Sequence, residues 1–189
     1  MALDAATLAL TAAELKTTLA DAKIAKLFEP TRDELVITLR TRTETDSLLL
    51  SARSGSARVC LTEESFENPE TPPSFCMLMR KHLTGGRLLD VRMEPGDRIV
   101  YFEFQCTNEM GDLVRNILCA ELMGRYSNLV LVQNGKIIDA LKRVDFEDSD
   151  VRQLLPGLPP SLPGLIFWLS ARRPSWRRPA SATCRWQTP

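Results

Sequence analysis

Two prolines, a short segment with one apolar face, two glycines and then a change of period make the stretch from Thr71 to Arg98 the most constraining in this chain. It reads TPPSFCMLMRKHLTGGRLLDVRMEPGDR. The Pro72-Pro73 pair ends any strand that precedes it, and Ser74 supplies a hydroxyl for an N-cap. Phe75, Leu78, Met79 and Leu83 fall at i, i+3, i+4 and i+8, which predicts a helix with one buried face. Gly85-Gly86 stops it, because glycine accepts the left-handed backbone that a helix end needs. Arg87 to Met93 then reads as a strand and Glu94-Pro95-Gly96 as a turn. A helix between strands on both sides predicts a joint between two β layers, with the helix at their edge. Arg80 and Lys81 lie off the apolar face. With Arg87 they form either a solvated surface or one flank of an anion-binding surface shared with Arg98.

Before this stretch, Asp4 to about Ala22 reads as a helix rich in Ala, Leu, Glu and Lys, without Gly or Pro. Leu8, Ala12, Leu15 and Leu19 share one face, suited to packing on a sheet. Lys23 to Phe28 predicts a short strand ended by Pro30. Glu34 to Arg40, with Val36, Ile37 and Thr38, predicts another. Ser47 to Ser51 and Arg58 to Leu61 follow, around the turn at Ser54-Gly55-Ser56. After the stretch come strands at Asp97 to Cys106, Asn116 to Leu122, Leu129 to Gln133 and Lys136 to Arg143. The last two are joined by Asn134-Gly135, the dipeptide preferred in tight hairpins. About nine short strands and two helices predict an α+β domain built on an antiparallel β-sandwich, with an N-terminal helix and one central helix.

Composition excludes several function classes. The length of 189 residues predicts one domain, and 44% apolar with 25% charged residues is ordinary for a soluble fold. No run approaches the ~20 apolar residues of a membrane span, and the N-terminus lacks the order of a secretory signal. A cytoplasmic location is the expectation. Cys60, Cys76, Cys106, Cys119 and Cys184 form no C-x-x-C pair, and His82 is the only histidine. That spacing supports no metal site and points to reduced, mostly buried thiols. His82 reads as a helix-end or packed side chain, and no Ser/His/Asp or Cys/His arrangement forms around it. No phosphate-binding glycine loop or dinucleotide fingerprint is present. No cofactor is expected, and no enzymatic activity.

The net charge of zero conceals an asymmetry. Residues 161–189 carry five Arg and no acidic residue, leaving 19 basic and 24 acidic groups in the first 160. Such a body does not bind nucleic acid by bulk charge. Any RNA contact must come from a local cluster, and two segments offer one. Asp97-Arg98 follows a Pro-Gly turn at a strand start, where both side chains reach the rim of a sheet. Arg98 brings a planar fork suited to a phosphate or a base edge. Asp97 can orient that fork or accept from a base amino group, and a local salt bridge between the two is the plainer reading. The second segment is Met123-Gly124-Arg125-Tyr126-Ser127-Asn128, a loop or bulge between strands. Gly124 permits close backbone approach, Arg125 adds a cation and Tyr126 a ring for stacking. Ser127 and Asn128 either bond a ligand or close the turn.

Several of these segments resemble one family, in its order. They are the opening MALD, EPTRDELVITLR, LLLSA, ENPETPPSFCMLMRKHLTGGR (Glu67 to Arg87), GDRI (Gly96 to Ile99), ELMGRYSNLVLV (Glu121 to Val132) and LLPGLP. Together they resemble the NFACT-N domain of the NFACT, or RqcH-type, ribosome quality-control proteins, whose bacterial members are also known as fibronectin-binding proteins. The resemblance covers residues 1–160. It implies a fold similar to the N-terminal domain of formamidopyrimidine-DNA glycosylases. Those enzymes use an N-terminal proline as nucleophile, followed by an acidic residue. Here Ala2 and Leu3 follow Met1, so glycosylase chemistry is not implied. The family's partners are tRNA and the large ribosomal subunit carrying a stalled peptidyl-tRNA. A member recruits tRNA, typically charged with alanine in bacteria, and the stalled chain gains a C-terminal tail. By this resemblance Asp97, Arg98, Glu121, Met123, Gly124 and Arg125 are the tRNA-binding residues, with Arg80, Lys81, Arg87 and Tyr126 as auxiliary RNA contacts. Leu122 and Tyr126 stand where relatives often carry Ile and His.

Beyond Pro160 the resemblance ends, and 161–189 reads as an irregular basic tail. It is either an out-of-frame or disordered segment, or a basic arm whose Arg and Trp side chains bind RNA by charge and stacking. Two further functions stay open on the sequence: a fibronectin-binding adhesin at the cell surface, and a fragment without function.

Overall fold

The structure, a computed structural model, describes residues 4–145, 147 and 152–160. The tail at 161–189 and the Ala2-Leu3 start lie outside the described residues. Helix α1 spans Ala5–Thr18 and helix α2 spans Ser74–Leu83. The strands are β1 (Lys23–Thr31), β2 (Glu34–Arg40), β3 (Thr45–Ser51), β4 (Arg58–Thr62), β5 (Arg87–Met93), β6 (Ile99–Thr107), β7 (Leu113–Glu121), β8 (Asn128–Gln133) and β9 (Lys136–Ala140).

All nine strands belong to one antiparallel sheet in the order β4-β3-β2-β1-β5-β6-β7-β8-β9. The sheet narrows at β1–β5, where the strand register reduces to Lys23 opposite Arg87. Three main-chain bonds reinforce that joint: Ile24 N to Gly86 O at 2.8 Å, Gly85 N to Ile24 O at 3.1 Å, and Leu88 N to Ala22 O at 2.8 Å. The Gly-Gly stop therefore does two things. It ends α2 through Gly85, whose φ is +76°, and it joins the two halves of the sheet. Gly86 has to be glycine for another reason. A Cβ there would lie 2.5 Å from the Cys106 Sγ and 2.8 Å from the Leu83 carbonyl oxygen.

The two halves form the layers of the sandwich around one core. Ile24, Leu35, Ile37, Leu48, Leu50 and Val59 come from one layer, and Val91, Val100, Phe102, Phe104, Leu118 and Leu131 from the other. Helix α1 adds Leu8, Ala12 and Leu15 to this core, and its C-cap adds Leu19; the helix packs mainly on β5. The alternation of β6 sends Ile99 and Tyr101 to the opposite face. There a second cluster forms with Ile117, Cys119, Val130, Val132, Ile137, Ala140 and Leu154. Leu154 belongs to a segment that runs beside β9, with Gly157 N bonded to Ile137 O and Ile137 N to Leu158 O, both at 2.8 Å. At the far side of the sandwich the Lys142 ammonium ties the layers, donating to Ala52 O and pairing with Asp33, both at 2.8 Å.

Several expectations are corrected in detail. Pro30 does not end β1. It falls in the irregular step between Phe28 and Thr31, where no regular ladder bond is required of it. Ser74 is not the cap of α2. Pro73 holds that position, with extended backbone and no side-chain bond. Helix α1 stops at Thr18 rather than near Ala22, and Asp21 takes a left-handed φ of 62° in the turn that follows. Its N-cap is Asp4, which accepts from Thr7 N at 2.7 Å. Strand β6 begins at Ile99, which leaves Asp97 and Arg98 in the turn before it.

Candidate nucleic-acid interface

The turn ahead of β6 follows from its residues. Pro95 occupies its second position and Gly96, with φ +77°, its third, the pattern of a type II turn. Asp97 N closes it on Glu94 O at 3.2 Å. The Asp97 carboxylate then accepts from the Arg98 backbone N–H at 2.7 Å. The local salt bridge considered from sequence is not what forms: Asp97 bonds the Arg98 main chain. The half-buried Arg98 guanidinium has no ion pair, ring or hydrogen-bond partner among the described residues.

Antiparallel pairing brings the second segment to the same rim. Ile99 stands opposite Glu121, and Leu122 N donates to Arg98 O at 2.9 Å. Just past that bond the chain makes a single 3-10 turn, Gly124–Tyr126. Gly124 has φ +62°, which favours glycine there. Ser127 closes the turn, its Oγ donating to Gly124 O at 2.7 Å. Asn128 holds the start of β8 against the chain after β9, through Lys142 N and Lys142 O. Both residues thus serve the turn and the strand start. Arg125 and Tyr126 are exposed, and the Arg125 guanidinium lies 4.6 Å from the centre of the Tyr126 ring. One rim therefore carries a guanidinium without a protein partner, a carboxylate held by its own turn, and an exposed cation–aromatic pair.

Glu121 and Met123 sit differently from what the sequence reading expects. Glu121 is 1% exposed, and both its oxygens bond the Arg152 guanidinium. Met123 is partly buried against the second cluster. Glu121 is thus behind the rim, with its carboxylate turned onto Arg152. Arg152, the residue sequence reasoning missed, has no local signal. It follows an acidic stretch and is 31 residues from its partner.

Of the two readings of Arg80, Lys81 and Arg87, the flank shared with Arg98 does not form. Arg87 pairs opposite Gln105, whereas Met93 and Val100 mark the Arg98 end of the same strand pair. Five or six residues of strand separate them, roughly 20 Å. Each of the three has its own task. Arg80 donates from Nε to Leu27 O at 2.9 Å and lies over the Phe28 ring. Lys81 pairs with Glu109 at 3.1 Å, and Arg87 grips both oxygens of Asp21.

Burial governs the titration of the groups nearest the rim. It pushes the Tyr101 phenol and the Cys119 thiol well up, with neighbouring acids adding to the effect, so both stay protonated at neutral pH. The Arg92 guanidinium stacks 4.8 Å from the Tyr101 ring centre. Among the described residues no group of three or more His, Cys, Asp or Glu side chains is arranged to hold a metal ion. Cys76, Cys106 and Cys119 are buried free thiols, and Cys60 is half-buried. No helix of the described residues is long and apolar enough to cross a membrane.

The sequence model described as NFACT N-terminal and middle domains matches residues 4–167. This chain belongs to the NFACT N-terminal family. Over 147 residues it is 39% identical to the Rqc2 homolog RqcH of Streptococcus suis, covering 77% of this chain and 27% of that protein. Over 152 residues it is 36% identical to the Rqc2 homolog RqcH of Bacillus subtilis, covering 79% of this chain and 27% of that protein. The chain thus spans about a quarter of the length of these relatives. The fold resembles the N-terminal part of the fibronectin/fibrinogen-binding protein from Streptococcus suis, with a TM-score of 0.77 and 37% identity, over 82% of this chain and 59% of that one. It also resembles the N-terminal domain of the fibronectin-binding protein PavA from Streptococcus pneumoniae, with a TM-score of 0.75 and 34% identity, over 86% and 66%. The α+β sandwich is that of the NFACT-N domain, and the family, with its RqcH members, is that of ribosome quality control.

Proposed function

We propose that the rim formed by Asp97, Arg98, Gly124, Arg125 and Tyr126 binds tRNA. The chain is then the tRNA-holding N-terminal domain of a ribosome-associated quality-control factor. Such a factor engages an obstructed large ribosomal subunit in the cytoplasm and recruits tRNA, so that the stalled nascent chain gains a C-terminal tail, of alanine in bacteria. On this reading the domain makes and breaks no covalent bond; peptide transfer belongs to the ribosome. The observation that carries the reading is the unpartnered Arg98 guanidinium on the same rim as the Arg125–Tyr126 pair. Arginine left open at a rim, next to a ring and a glycine turn, suits a phosphate with an adjacent base. The net acidity of the body makes this local cluster the source of affinity.

The test is tRNA binding by the chain, wild type against Asp97→Ala/Arg98→Ala, at two salt concentrations. The expected result is binding that weakens with salt and falls about tenfold or more in the double variant, a loss of about 1.4 kcal/mol. Salt-dependent binding left intact in the variant would move the site elsewhere on the chain. The names of the solved relatives favour a second reading, a fibronectin-binding surface. Fibronectin binding unaffected by Arg98→Ala, with no tRNA binding, would select it. Binding of neither partner would leave the chain without either function.

A further inference from the structure

Glu121 is the last residue of β7, opposite Ile99 on one side and Asn128 on the other. It occupies the corner where the Asp97-Arg98 turn and the Met123–Ser127 bend meet. The next residue, Leu122, carries the N–H that holds the Arg98 carbonyl. A shift at the end of β7 therefore moves both halves of the rim relative to each other.

A buried carboxylate does not stay in such a place unpaired. Arg152 answers it with both nitrogens of its fork, Nη1 to Oε2 at 3.1 Å and Nη2 to Oε1. This two-point geometry fixes orientation as well as charge. Arg152 also arrives on a fixed support. Leu154, two residues on, is buried in the second cluster, and Gly157 and Leu158 bond Ile137 of β9. The other groups on this face are uncharged or otherwise engaged: Tyr101 and Cys119 are protonated, and Arg92 is stacked on Tyr101.

We propose that Arg152 is a positioning residue for the rim: through Glu121 it holds the end of β7, and with it the spacing between Arg98 and the Arg125–Tyr126 pair. Its functional half rests on the tRNA reading; its structural half does not. Arg152 is not itself an RNA contact. Lysine does not replace it fully, because a single ammonium cannot grip both oxygens.

The test uses the 189-residue chain with Arg152→Ala, Arg152→Lys, Glu121→Gln and Glu121→Gln/Arg152→Ala. Amide hydrogen exchange on the free protein reads the positioning directly. Exchange should rise over 97–99 and 121–127 in Arg152→Ala and remain at the wild-type level in β1 to β4. Binding of total tRNA should weaken about tenfold, with Arg152→Lys between the two. The double variant should bind no worse than Arg152→Ala, because Arg152 acts through Glu121. Unchanged exchange at the rim overturns the proposal. So does a uniform rise across both layers, which would make Arg152 a general stability residue. An undiminished effect of Arg152→Ala in the Glu121→Gln background would make it a direct contact, and equally overturns it. If Arg152→Ala does not fold, the lysine and glutamine variants carry the same comparison. If the wild type binds no tRNA, the tRNA reading fails and the exchange result alone decides the positioning.

Discussion

Tyr101 shows what a single residue costs when its polar end has nowhere to go. Its ring lies in the second cluster under the Arg92 guanidinium, but its hydroxyl is buried with no hydrogen-bond partner among the described residues. Deleting an unpaired buried hydroxyl removes a desolvation cost and leaves the packing, so Tyr101→Phe should leave stability unchanged or raise it by up to about 1 kcal/mol. The same site sets an alkaline limit. Burial raises the phenol above its ordinary value of 10.0, so above that pH the unfolded chain gives up a proton that the folded state retains. Stability from this group is full below pH 10 and is lost as pH climbs above it. Urea melts at pH 8 and pH 11 should show a steeper loss in the wild type than in Tyr101→Phe. An equal loss in both would assign the alkaline limit to other groups. The rim teaches a related lesson about legibility. Asp97, Arg98, Gly124 and Arg125 announce themselves by turn chemistry and charge, which are local properties. The burial of Glu121 and its pairing with Arg152 depend on a contact across 31 residues, which no local pattern encodes.

At the scale of elements, α2 is held by more than its apolar face. Phe75, Met79 and Leu83 are buried as their spacing requires, and Arg80 adds a charged hydrogen bond to the Leu27 carbonyl. Arg80→Ala should therefore lower stability by about 1–2 kcal/mol, since it removes that charged hydrogen bond and leaves the carbonyl only the weak Cys76 thiol donor, yet leave tRNA affinity unchanged. A large loss of affinity in a folded Arg80→Ala protein would restore the RNA-contact role expected from sequence. Gly86→Ala should be at least as damaging, about 1–3 kcal/mol by thermal or urea unfolding. Its new methyl meets Cys106 and the Leu83 carbonyl at the joint of the two layers. A variant as stable as wild type would mean that this joint yields easily. Element types were legible here because alternation and helical spacing were strong: the nine strands and two helices appear where those periods predict them. Boundaries were less so. Pro30 reads as a stop, but an irregular step in β1 accommodates it. Ser74 reads as a cap, but the extended Pro73 already sets the helix entry.

For the whole molecule the question is how a body with five more acids than bases holds a polyanion. The fold's answer is local. Among the described residues eight cations are paired with acids, while Lys23, Lys26, Arg32, Arg40, Arg42, Arg58 and Lys136 have no ion pair and are scattered over the surface. The rim sets Arg98 on the same edge as the Arg125–Tyr126 pair. Lys16, Arg53, Lys81, Arg87, Arg115, Lys142, Arg143 and Arg152 are each within ion-pair distance of a carboxylate, whereas Arg98 is not. Binding through Arg98 and Arg125 releases few counterions. At about 0.7 per neutralised phosphate on a single strand, two contacts give a slope of roughly −1.4 in log K against log salt. Arg98→Ala should make that slope shallower by about 0.7. The five arginines of 161–189 provide the contrast. If they carried the binding, the slope would approach about −3.5 and would not respond to Arg98→Ala. A titration of tRNA binding across salt, with and without Arg98, therefore separates a site built by the fold from attraction by the basic segment. A shallow slope that Arg98→Ala reduces assigns the polyanion to the rim.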